Sequence, residues 1–185
     1  MQKIMFNDQY GLTQAVIEGR KTMTRRIVPE RILKDCVVTG EVLIKSPFGE
    51  VVAVAQSYET VLEKMIEYKG GYGEEENEFY KIHKDTPGWK NKMFVRSDLM
   101  PHQIRITDIK VERLQDISDE DCLKEGINED LKGVQYSFDS KIGYCGQFPF
   151  ATARQAFAAL IDKVSGKGTW ERNPWVFAYT FELVK

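Results

Sequence analysis

The spacing of apolar residues changes several times along the chain, and each change marks a predicted element. Leu12, Ala15 and Val16, with Phe6 ahead of them, recur at helical spacing, and Gly19 stands where a C-terminal cap belongs. Residues 22–28 then read as a strand. Residues 41–45 and 51–56 flank Ser46-Pro47-Phe48-Gly49, whose turn chemistry predicts a hairpin. Helical spacing returns over residues 59–68 through Val61, Leu62, Met65 and Ile66. Over residues 69–92 apolar periodicity fades into glycine, acidic and polar residues. That stretch is predicted to be a mobile surface insertion, because it buries too little to offset its ordering entropy. Its run Glu74-Glu75-Glu76 reads as a solvated loop that repels nucleic acid.

The second half is richer in strand signals. Ile104 and Ile106 share one parity and Ile109 and Val111 the other, so a strand keeping one core face predicts a bulge at Thr107-Asp108. Ser118 opens a short helix, with Asp121 as a variant capping partner and Gly126 as its end. Thr152 caps a further helix carrying Ala156, Phe157, Leu160 and Ile161. In the last strand Trp175, Phe177, Tyr179, Phe181 and Leu183 alternate with other residues and read as a core ladder. The whole predicts an α+β fold, with short helices flanking a small curved antiparallel β-barrel, as one domain over residues 1–185.

Composition narrows the function classes. Net charge is −2, so attraction to nucleic acid or an anionic membrane must come from a local patch. No apolar run has the length of a membrane span or a secretory signal. Cys36, Cys122 and Cys145 are odd in number and far apart, which argues against a disulfide framework and for a reducing cytoplasm. His83 and His102 are too few for a histidine-rich metal site; no metal and no cofactor is expected. Oligomeric state is left open.

Chemistry concentrates at Gly19-Arg20-Lys21-Thr22-Met23-Thr24-Arg25-Arg26, where four cations and two hydroxyls fall within eight residues. The order of this segment, then Arg113-Leu114-Gln115-Asp116-Ile117-Ser118, then Glu125-Gly126-Ile127, then Asn173-Pro174-Trp175-Val176-Phe177 resembles the ASCH domain family, in particular its longer, prophage-type members. The resemblance implies a PUA-like barrel with a cleft beside the basic segment, and RNA or modified nucleosides as partners. The usual ASCH signature has glutamate where this chain has Thr24. The small ASCH amidohydrolases that deacetylate N4-acetylcytidine carry threonine there, and their catalytic lysine, threonine and glutamate map onto Lys21, Thr24 and Glu125. Those enzymes are much shorter than this chain.

The residue types suit that chemistry. A threonine hydroxyl needs a neighbouring base, and lysine serves only when burial or nearby cations depress its pKa. Arg20, Arg25 and Arg26 supply a positive field, whereas Glu125 would orient the lysine or protonate a leaving amine while raising the lysine pKa. A cation beside the developing oxyanion is worth roughly 3 kcal/mol. Lys21 and Thr24, three apart, converge only if the chain between Gly19 and the strand is irregular. Two readings stand: an amidohydrolase of N4-acylated cytidine using Lys21, Thr24 and Glu125, and a noncatalytic RNA-binding module in which Arg20, Lys21, Arg25 and Arg26 contact phosphates or a base edge. Tyr58 and Trp170 are candidates for stacking on a base, or else core aromatics.

Overall fold

The computed structural model describes residues 1–33, 49–138 and 149–184. Its elements run β1 (Lys3–Ile4), α1 (Leu12–Ile17), β2 (Met23–Ile27), β3 (Val51–Val54), α2 (Tyr58–Lys69), α3 (Glu74–His83), β4 (Gln103–Arg113), α4 (Asp119–Lys124), β5 (Asn128–Glu129), β6 (Tyr136–Ser137), α5 (Ala153–Ser165), α6 (Thr169–Arg172) and β7 (Trp175–Leu183). Local chemistry sets the helix starts. The hydroxyls of Ser57, Ser118 and Thr152 each accept a backbone N–H three residues on, from Thr60, Asp121 and Gln155, at 3.1 Å in every case. Gly19 (φ 73°) and Gly70 (φ 70°) end α1 and α2 in the left-handed region that glycine adopts without a steric cost.

The main sheet has the strand order β1-β3-β4-β7-β2, with β1 parallel to β3 and β3 antiparallel to β4. β5 and β6 form a separate two-stranded ribbon. The fold is therefore α+β. The small curved antiparallel barrel expected from the sequence is not closed by the described strands, whose order has β1 and β2 outermost. The first arm of the predicted hairpin, residues 41–45, lies outside the described residues, as do Cys36 and Cys145.

The chain divides into two compact units. The first comprises Met1–Phe6, Val51–Arg105 and Leu183–Lys185. Its core joins Ala53, Ala55, Tyr58, Val61, Val95 and Met100, with Met65, Phe79, Trp89 and Leu99 packed against it. The stretch 69–92, expected to be unstructured, is helical over α3 and packs on α2. Two features explain the difference. Glu74, Glu75 and Glu76 occupy the first turn of α3, where a helix favours negative charge, and the Glu76 carboxylate accepts the Gly73 amide at 3.0 Å and pairs with Lys69 at 3.0 Å. Phe79 and His83, one turn apart, both lie against the Tyr58 ring, at 5.8 and 4.2 Å between centroids.

The second unit comprises Asn7–Glu50 and Ile106–Glu182. Within it α4 packs on β2 and α5, and α5 packs on α6. In β7 the consecutive residues Val176, Phe177 and Ala178 are all buried, so both faces of the strand are covered there. Phe181 is buried too, while Trp175 and Leu183 at the ends are exposed; the predicted ladder is core only at its centre. β4 runs unbroken through Thr107-Asp108, where Asp108 accepts the Ile109 amide at 2.9 Å; Val111 beyond it is exposed. The 3-10 turn Leu114–Asp116 is bolted to the start of β7. Leu114 donates its amide to Pro174 O at 2.9 Å and Gln115 to Asn173 Oδ1 at 2.8 Å, with Asn173 itself left-handed at φ 45°. Among the described residues no helix is long and apolar enough to cross a membrane.

Candidate functional site

The strand β2 starts only at Met23, so Arg20, Lys21 and Thr22 form an irregular link ahead of it. Backbone bonds fix that link on both sides. The Lys21 amide donates to Ala15 O of α1 at 2.9 Å, and the Thr22 amide donates to Lys124 O of α4 at 2.9 Å. Gly126, at φ 98°, ends α4 against the same side chain: a Cβ there would stand 3.3 Å from Leu12 and 3.5 Å from Lys21. Only glycine suits both the backbone angle and the close approach. The link thus directs Lys21 inward across the C-terminal end of α4.

There the Lys21 ammonium donates to Glu125 Oε2 at 2.6 Å and to the Glu125 carbonyl at 2.7 Å. Lys21 is 2% exposed and Glu125 4%. The carbonyl contact satisfies a terminal acceptor of the helix with a cation, where the macrodipole favours one. The other carboxylate oxygen, Oε1, accepts from Arg25 Nη1 at 3.2 Å. Arg25 also donates Nε to Glu112 at 2.9 Å and Nη2 to Asp121 at 3.1 Å, and its side chain is buried.

Burial is the largest influence on Lys21 and lowers its pKa from the ordinary lysine value. Glu125 pulls the other way, and Arg26 and Arg25 add to the lowering. Burial outweighs the pairing with Glu125 in setting the direction of the Lys21 shift. For Arg25, burial alone would lower the pKa, but Glu125, then Glu112 and Asp121, outweigh it and hold the guanidinium charged.

Of the sequence candidates, some are brought together and others stand apart. Lys21 and Glu125 are in contact. Thr24 is buried on β2, opposite Tyr179 of β7 and at the parity opposite Arg25; among the described residues no hydrogen bond joins it to Lys21 or Glu125. Arg26, at the parity of Thr24, is exposed and stands near the Tyr179 phenol. Arg20 is exposed and engages Glu18 at 2.7 Å and Asn128 at 3.0 Å. Tyr58 belongs to the core of the first unit, 3% exposed, with its hydroxyl accepting the Arg96 amide. Trp170 is half-buried, edge-on to Phe157 and covered by the Arg154 guanidinium.

Sequence reasoning missed Glu112 and the second role of Asp121. Asp121 was read as a capping partner; its amide does bond to Ser118, but its carboxylate turns to Arg25 and Lys124. Among the described residues no group of His, Cys, Asp and Glu side chains is placed to hold a metal ion. No family model, curated protein or solved structure matches this chain.

Proposed function

We propose that this chain is an RNA- or nucleoside-associated protein of the ASCH type that hydrolyses the amide of N4-acylated cytidine. The reading includes a PUA-like barrel, which needs strand pairing beyond the order β1-β3-β4-β7-β2. The observation that carries it is the buried Lys21–Glu125 contact at 2.6 Å, in which burial depresses the lysine despite its carboxylate partner. A buried, depressed lysine beside a carboxylate is what acid–base work at an amide calls for.

In this reaction Lys21 first gives up a proton to solvent, and Thr24 Oγ1 then attacks the acyl carbon as its proton passes to Lys21 Nζ. The carbon–nitrogen bond then breaks as the N4 amine takes that proton, releasing cytidine and leaving an acyl ester on Thr24. Water hydrolyses the ester to free acid and restores the hydroxyl. Glu125 holds the Lys21 amine in place and steadies its ammonium form. Phosphate binding by the basic segment is the weaker reading, because the cationic groups of Lys21 and Arg25 are already engaged by carboxylates and shielded from solvent.

The test is to incubate the purified protein with N4-acetylcytidine and follow cytidine release, with Lys21→Ala and Thr24→Ala beside it. The expected result is turnover by the wild type and a loss of roughly 100-fold or more in each variant. Release no faster than in buffer removes the deacylation reading.

A further inference from the structure

We infer that Arg25 is a positioning residue of this site and not a ligand contact: its guanidinium fork holds Glu125 Oε1 so that Oε2 is presented to the Lys21 ammonium. The consequence for turnover rests on the hydrolase reading; the placement itself does not. Arg25 lies on β2, and its partners come from two other elements, Glu112 on β4 and Asp121 on α4, before Glu125 at the end of α4 is reached. Nε and Nη2 are fixed by Glu112 (2.9 and 2.7 Å) and Asp121 (3.1 Å), which sets the plane of the rigid guanidinium and aims Nη1 at Glu125. With the side chain 1% exposed, water does not compete for those donors.

The division of the carboxylate matters because its terminal torsion is soft. A Glu125 paired with Lys21 alone is free to turn both oxygens toward the ammonium, and such a pair holds the lysine proton more firmly. Sharing the carboxylate with Arg25 weakens that hold. Among the described residues, the charged groups facing Lys21 include Glu125, Arg26 and Arg25; those facing Arg25 include Glu125, Glu112 and Asp121, the last also paired with Lys124 at 3.6 Å. A lysine at position 25 would keep the charge but not the planar fork.

The experiment is an NMR titration of the Lys21 side chain, assigned with Lys21→Gln, in the wild type, Arg25→Lys and Arg25→Gln. In parallel, the pH dependence of kcat/KM on N4-acetylcytidine is measured for the same proteins. Lys21 is expected to titrate at the lowest pH in the wild type, higher in Arg25→Lys and highest in Arg25→Gln. The acid limb of the rate profile should move up in the same order, with a loss of about tenfold or more at neutral pH in Arg25→Gln. If Arg25→Gln fails to fold, Arg25→Lys against wild type decides. A Lys21 titration unmoved in a folded Arg25 variant overturns the assignment whatever the turnover. Absence of turnover in the wild type removes the hydrolase reading and leaves the titration order to decide on Arg25.

Discussion

Burying an ammonium beside a carboxylate costs desolvation that their attraction does not fully return, so a pair such as Lys21–Glu125 is weak support for a purely stabilising role. Its pH signature follows from the direction of the Lys21 shift. The folded protein releases the Lys21 proton at lower pH than the unfolded chain, whose lysine titrates near 10.5. Between those two points the unfolded state binds more protons, so the Lys21 contribution to stability grows as pH rises and is complete above the unfolded value. Urea unfolding followed as pH rises toward 10.5 should show the wild type gaining on Lys21→Met; parallel curves would contradict the shift. Cys122 offers a second check. Burial, with Asp119 adding to it, pushes its thiol up to about 12, so the Cys122 peptide should resist iodoacetamide in the native protein and react once unfolded. Labelling of the native peptide would contradict its enclosure. Lys21 and Glu125 were legible through residue type and position in an ordered series of segments. Glu112 was not, because Arg25 finds it 87 residues away and nothing local in either segment marks the pairing.

At the scale of elements, caps and glycines were the readable part, since each acts within four residues of itself. Ser118, Thr152, Gly19 and Gly126 all do locally what their types suggest. α3 was illegible for the opposite reason. Its sequence is polar enough to read as loop, and it is held by a long-range cluster of Phe79, His83 and Tyr58. Gly88 completes that cluster: a Cβ there would come within 2.5 Å of the Tyr58 ring, whereas one at Gly71 would meet nothing within 4 Å. Gly88→Ala should therefore cost about 1–3 kcal/mol in chemical denaturation, with Gly71→Ala close to neutral. Equal effects would mean that α3 and the turn after it do not pack on Tyr58 as described. The segments carrying the family resemblance also have plain structural duties, as the bonds from Leu114 and Gln115 to Pro174 and Asn173 illustrate.

At the scale of the molecule, the basic segment, its partners and Glu125 all belong to the second compact unit. Local patterning foretold α+β content but not the strand order or the parallel β1–β3 pair, which are long-range choices. On the proposed reading the buried amine of Lys21 and carboxylate of Glu125 are kept for chemistry. That claim is tested most directly by replacing both at once, Lys21→Met with Glu125→Leu, and measuring stability and N4-acetylcytidine turnover together. Replacing a buried ion pair with apolar groups of similar volume is often neutral or stabilising by about 1–4 kcal/mol. The predicted result is a wild type that releases cytidine and a double variant that still folds, with Arg25 held by Glu112 and Asp121, yet is inert. A double variant that releases cytidine as fast as the wild type, or a wild type that releases none, would contradict it.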